Sequence, residues 1–147
     1  MRLGWHRAKT KQHTTSTMNG DNFKNASDME SIGDLEERLE ISLPADFKRF
    51  HNDYGGGEGF VGGEYLVVWP ISDIAELNEI FQVEESAPDI LLFGSNGAGE
   101  GIGFDMRFDD YPVVVVPFIG MSLDAVVGVS ANFDSFISKL ANGGSLF

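Results

Sequence analysis

The segment VVVVPF, residues 113–118, constrains the fold more than any other stretch of this chain. A short apolar run without alternation is the pattern of a strand buried on both faces, so the rest of the chain must cover it from two sides. Other strand patterns accompany it: EYLVVW closed by Pro70, Ile90 to Phe93, Gly101 to Met106, and Ala125 to Val129. Helical spacing frames them. Ile32, Leu35 and Leu39 recur on one face behind two capping-box-like starts, Ser27 with Glu30 and Ser31 with Asp34. In LPADFKRFHNDYGGG, Pro44 suits a first helical position, Phe47, Phe50 and Tyr54 share a face, and Gly55 suits the left-handed position past the end. Ile74, Leu77, Ile80 and Phe81 share a face behind Ser72 or Asp73 as cap. Phe133, Phe136, Ile137 and Leu140 do so behind Asn132, and Asn142 and Gly143 stop that helix. Two helices, a strand, a helix, a group of strands and a last helix spell an α+β fold rather than the regular alternation of a doubly wound sheet. At 147 residues one domain is expected, and there is no internal repeat.

Charge divides the chain. Residues 1–26 carry +4 and residues 27–147 carry −17. The first stretch is basic, rich in Thr and nearly free of aliphatic residues, so it is expected to be a disordered N-terminal extension, with Met18 offering a second start. Neither a secretory leader nor a transit peptide is indicated. Between Arg49 and Arg107 there is no Lys or Arg, while eleven acids stand there. Such a body repels nucleic-acid phosphates and anionic lipid, and attracts a basic protein surface over about a Debye length. Such a charge balance serves either solubility or recognition of a basic protein partner, and the expectation taken forward is a basic protein partner, with no nucleic acid and no membrane. No apolar run approaches the roughly 20 residues that span a bilayer, and the absence of Cys fits a reducing cytoplasm.

The residues give little support to catalysis. Without Cys there is no thiol nucleophile or thiolate metal site, and His51 is the lone His of the body beside His6 and His13 in the extension. Six glycines between Gly55 and Gly63 and five between Gly94 and Gly103 lack a Gly-Lys-Ser/Thr ending, and Glu58, Glu64 and Glu100 would repel a phosphate there. They read as tight turns and close backbone approaches, and in GSNGAGEGIGFD as a hairpin connection with Asn96-Gly97 as its turn. Asp105, Asp109 and Asp110 are close in sequence but do not have the spacing of a twelve-residue calcium loop, so no metal and no cofactor is assigned. A small hydrolase built on two of Glu58, Glu64, Glu100, Asp105 and Asp109 stays open as an alternative, to be recognised by a pocket that raises their pKa values.

The order of LPADFKRFHNDYGGG, EYLVVWPISDIAELNE, LLFGSNGAGEGIGFDMR, VVVVPFIGM and NFDSFISKL, over roughly residues 30 to 140, resembles the SUKH superfamily. That group takes in the Smi/Knr cell-wall-assembly regulators of fungi and many bacterial immunity proteins. The resemblance implies a single non-enzymatic binding domain, residues 27–147, with a mixed β-sheet packed by N-terminal, middle and C-terminal helices. It has no catalytic residues to carry over. In bacteria it implies an intracellular immunity protein that binds and neutralises a toxin domain, often a nuclease. A regulatory scaffold for an endogenous basic partner is the alternative. The candidate partner-binding residues are Tyr54 and Trp69 as aromatic anchors, with Tyr65 beside them, and Glu58, Glu84, Glu85, Glu100, Asp109 and Asp110 as steering acids. Core packing is the competing reading for Trp69 and Tyr65, which lie within an apolar strand run.

Overall fold

Every strand of the sheet pairs with its neighbour in sequence, and every pairing is antiparallel. The computed structural model describes residues 5–7 and 31–146. In chain order the elements are β1 (His6–Arg7), α1 (Ile32–Leu39), α2 (Ala45–Tyr54), β2 (Gly57–Val61), β3 (Glu64–Val68), α3 (Ile71–Ile80), α4 (Val83–Ser86), β4 (Ile90–Ser95), β5 (Glu100–Asp105), β6 (Val113–Pro117), a 3-10 turn (Leu123–Ala125), β7 (Val127–Ser130) and α5 (Phe133–Ala141). The α+β class stands. The sheet is not the mixed one that the resemblance implied: it is an antiparallel meander among the described residues. Parallel neighbours need a crossover, and here both helical connections, α1 with α2 between β1 and β2 and α3 with α4 between β3 and β4, return the chain antiparallel.

Local sequence sets the helix ends. Ser31 Oγ accepts from Asp34 N–H at 3.1 Å, and the Asp34 carboxylate accepts from Ser31 N–H at 3.2 Å, a reciprocal capping box. Asn132 Oδ1 accepts from Ser135 N–H at 2.8 Å at the start of α5. Gly55, with φ of 70°, ends α2. Pro44 stands one position earlier than expected, as the residue before α2, and Pro70 precedes α3 with no side-chain cap from Ser72 or Asp73. Ser27 and Glu30 lie outside the described residues, as does most of the basic stretch 1–26. Where that stretch is described it is not a tail: His6 and Arg7 pair with Glu58 and Gly57 on β2.

β4, β5 and the Val113–Val116 part of β6 are buried along both faces, as the unbroken apolar run demands. On one face Phe47 of α2 is the hub. Its ring centroid lies 5.1 Å from Phe93 of β4, 5.2 Å from Phe104 of β5 and 5.1 Å from Phe133 of α5, mostly edge to face. Toward the other face Trp69, Phe81 and Phe118 stack in sequence, at 6.2 Å and 4.4 Å. Where the chain leaves β3 for α3, Leu92 would lose its ladder partner. Asn78 replaces it, accepting from Leu92 N–H at 2.9 Å and donating to Leu92 C=O at 2.8 Å. The glycine-rich run is more than a turn. Gly57, Glu58, Gly59, Phe60 and Val61 alternate buried and exposed as strand β2, and a Cβ on Gly57 would lie 2.7 Å from the Trp5 indole nitrogen.

His51 is buried beside Phe47 and Phe50, and neither ring nitrogen has a hydrogen-bond partner among the described residues. Burial pushes its pKa down to about 4 from 6.5. The unfolded chain therefore takes up this proton first as pH falls. His51 costs nothing above pH 6.5 and destabilises the fold progressively between 6.5 and about 4, by up to about 3 kcal/mol. Urea unfolding of H51L at pH 7.5 and 4.5 should show a smaller loss on acidification than the parent, and an equal loss would refute the assignment. Removing the aromatic hub with F47A should lower the unfolding free energy by about 3–5 kcal/mol in the same assay at pH 7.5.

Candidate partner-binding surface

Strand register, rather than sequence proximity, gathers the acids. Ile90 opens β4 opposite Asp105 at the end of β5, and Phe104 faces Val113 at the start of β6. The segment before β4 and the loop after β5 therefore meet at one end of the sheet. Met106 N–H donates to Asp89 C=O at 2.8 Å, and Asp89 N–H donates to the Glu84 carboxylate at 3.3 Å. Glu84, Glu85, Asp89, Asp109 and Asp110 are all exposed.

The nearby cation is already engaged. Arg107 Nε and Nη2 donate to the two carboxylate oxygens of Asp105 at 2.9 and 2.7 Å, a bidentate pair. The guanidinium holds the buried Asp105 carboxyl below its ordinary range, chiefly through those hydrogen bonds. With Arg107 spent on Asp105, the five exposed acids leave this end negative. Asp109 and Asp110 also line an open groove of about 460 Å³ with Ser42, Pro44, Met106 and Tyr111. Tyr111 has φ of 50°, a conformation that costs a bulky residue about 1–3 kcal/mol, and its ring packs 6.0 Å from Phe104.

The other residues singled out from the sequence lie elsewhere. Glu58 and Glu100 belong to the far end of the sheet: Glu58 faces Val67, Val67 faces Ser95, and Ser95 faces Gly101, next to Glu100. Tyr65 donates its hydroxyl to the Glu58 carboxylate at 2.6 Å, which raises the phenol pKa. Trp69 is buried and belongs to the core. Tyr54 is half-buried, its ring centroid 4.9 Å from that of Phe50 and tilted by 40°, and lines a second open groove of about 400 Å³ between α2 and α5 with Asp46, Arg49, Asp53 and Asp134. Asp46 and Asp134 tie the two helices there: Asp134 N–H donates to Asp46 Oδ2 at 3.0 Å, and Arg49 pairs with Asp134 at 2.7 Å.

Sequence reasoning passed over Asp89 and Phe108. Phe108 is 55% exposed on the acidic loop, with the Arg107 guanidinium 6.0 Å from its ring centroid. Its position straight after the Asp105–Arg107 pair and before two acids was the available signal.

The carboxylates considered for hydrolysis are not brought together as a set. Glu100 and Asp105 stand at opposite ends of β5, about 17 Å apart along an extended strand. Asp105 is held low rather than raised, and of the set Asp109 lines the acidic groove. Among the described residues no three His, Cys, Asp or Glu side chains converge to hold a metal ion, and no helix is long and apolar enough to cross a membrane.

Known proteins place this architecture. The chain is similar to the protein named "Uncharacterized protein YnaB" of Bacillus subtilis (strain 168), 23% identical over 127 residues that cover 82% of this chain and 80% of that protein. The model of the SMI1/KNR4 family, SUKH-1, matches residues 27–139, a span that runs from just before α1 into α5. With the two N-terminal helices, strands β2 to β7 and most of the aromatic last helix inside that span, the chain belongs to the SMI1/KNR4 family (SUKH-1).

Proposed function

We propose that this domain binds a basic toxin domain in the cytoplasm and neutralises it as an immunity protein, without catalysis of its own. The observation that carries the reading is the acidic end of the sheet, where Glu84, Glu85, Asp89, Asp109 and Asp110 are exposed while Arg107 is committed to Asp105. A nuclease must present positive charge to hold phosphates, so this end competes for the same surface. Long-range attraction speeds encounter, while exposed ion pairs add only about 0–1 kcal/mol each, so the acids steer and other contacts supply most of the affinity. Family membership supports protein binding in general. A regulatory scaffold for an endogenous basic partner would use the same surface. A toxin-domain gene beside this one separates the two readings.

Co-expression tests the proposal. The full chain should restore growth to cells that produce the toxin domain encoded beside it, and the purified pair should form a stoichiometric complex with toxin activity lost. The quadruple variant E84K/E85K/D109K/D110K should keep the parent's circular dichroism and unfolding midpoint within about 1 kcal/mol, yet associate at least tenfold more slowly at low salt. Equal association rates would reduce these acids to solubility determinants. Growth arrest despite a folded, abundant protein would contradict the immunity reading.

A further inference from the structure

We propose that Ile80, Phe81, Phe118 and Ile119 form the apolar anchor of the partner interface, taking an aliphatic or aromatic side chain that projects from a basic protein surface. The inference rests on the protein-binding reading and locates it.

Ile80, Phe81 and Ile119, from two distant segments, are exposed although each is large and apolar, and Phe118 is half-buried against the core. Ile119 is 93% exposed, Ile80 61% and Phe81 38%. The two segments meet through their rings: Phe81 stacks on Phe118 at 4.4 Å with an interplanar angle of 28°. Phe81 in turn stacks on the buried Trp69 at 6.2 Å, which ties its exposed ring to the core. Both segments end in left-handed backbone. Gln82, directly after Phe81, has φ of 55°, and Gly120, directly after Ile119, has φ of 78°. A rigid aromatic platform flanked by exposed aliphatic tips has the make-up of a binding hot spot, since little side-chain entropy remains to be lost on contact.

Charge selects the occupant. Phe118 adjoins Pro117, which pairs with Glu100 at the end of β5 away from Asp105, and Glu79 precedes Ile80, so the patch has acids of its own besides Glu84 and Glu85, which α4 carries toward the other end of the sheet. No Lys or Arg occurs in residues 50–106 or 108–138, the two stretches that build the patch. A second copy of the chain would bring another net charge of −13 against the same acids, and anionic lipid would be repelled likewise. A basic protein surface with one projecting apolar side chain satisfies both the patch and its surroundings.

The test uses the full chain with two synthetic probes, the peptide Arg-Arg-Gly-Phe-Gly-Arg-Arg and the same peptide with Ser in place of Phe. Chemical shifts of Ile80, Phe81, Phe118 and Ile119 should move with the Phe peptide, which should bind about tenfold tighter than the Ser peptide. I80S/I119S, altered at exposed tips and so folded, should abolish that preference while leaving the common charge-driven binding in place. Equal binding of the two peptides, or shifts confined to the acidic residues, would overturn the proposal. So would a dimer of the parent in sedimentation that I80S/I119S dissolves, since the patch would then belong to a second copy. With the toxin domain as ligand, I80S/I119S should speed dissociation and leave association unchanged. If the peptide preference holds while the toxin domain does not bind the parent, the immunity reading fails and the anchor stands.

Discussion

Phe47 joins what sequence keeps apart. Its ring meets Phe93 of β4, Phe104 of β5 and Phe133 of α5 within about the same distance, so one side chain of α2 locks the second helix, the central strands and the last helix into one core. Aromatic edge-to-face contacts add to the area they bury, and they fix orientation as well as distance. The register of β4 against β5 is held from both sides, by this cluster and by Gly103, where a Cβ would collide with the Leu91 carbonyl oxygen and lie 2.7 Å from Leu92 Cα. Everything at the acidic end depends on that register, because a slip of one residue would turn Phe104 away from Phe47 to the other face of the sheet and separate Asp89 from Met106.

Among the described residues three cations are used structurally. Arg107 closes on Asp105, Arg49 joins α5 through Asp134, and Lys48 pairs with Glu36 at 2.9 Å. Those pairings take positive charge into intramolecular contacts and leave exposed acids around the end of β4 and β5. On the proposed reading a surface of this kind would attract a basic protein from a distance, and the stacked Phe81 and Phe118 would supply the short-range contact that charge in water does not. The two proposed roles fall on different residues, so on that reading association and dissociation would be altered separately.

Much of the fold was legible because the periodic signals were strong and local. The Phe47, Phe50 and Tyr54 spacing, the Ser31 and Asn132 caps, the Val113 run and the Asn96-Gly97 connection each correspond to an element or turn at that place. β2 was not legible because its inward positions, Gly57 and Gly59, have no side chain to show the alternation. β1 depends on Trp5 and a neighbouring strand rather than on its own pattern, and the antiparallel course of the sheet depends on the path of α3 and α4. The site was harder to read than the fold. Glu84 and Asp109 are far apart in sequence and share an end of the sheet only through the pairing of β4 with β5, whereas Glu100, nearer in sequence to Asp109, lies at the opposite end. Ile80 and Phe81 fit the helical face of Ile74 and Leu77, and only the packed structure shows that this face outruns the core.

The most direct test of the account is the association rate of the unaltered protein with the neighbouring toxin domain, followed by stopped flow from low to moderate salt. The account predicts a rate that falls steeply, by about tenfold or more across that range, with dissociation changing little. An association rate that ignores salt would contradict it.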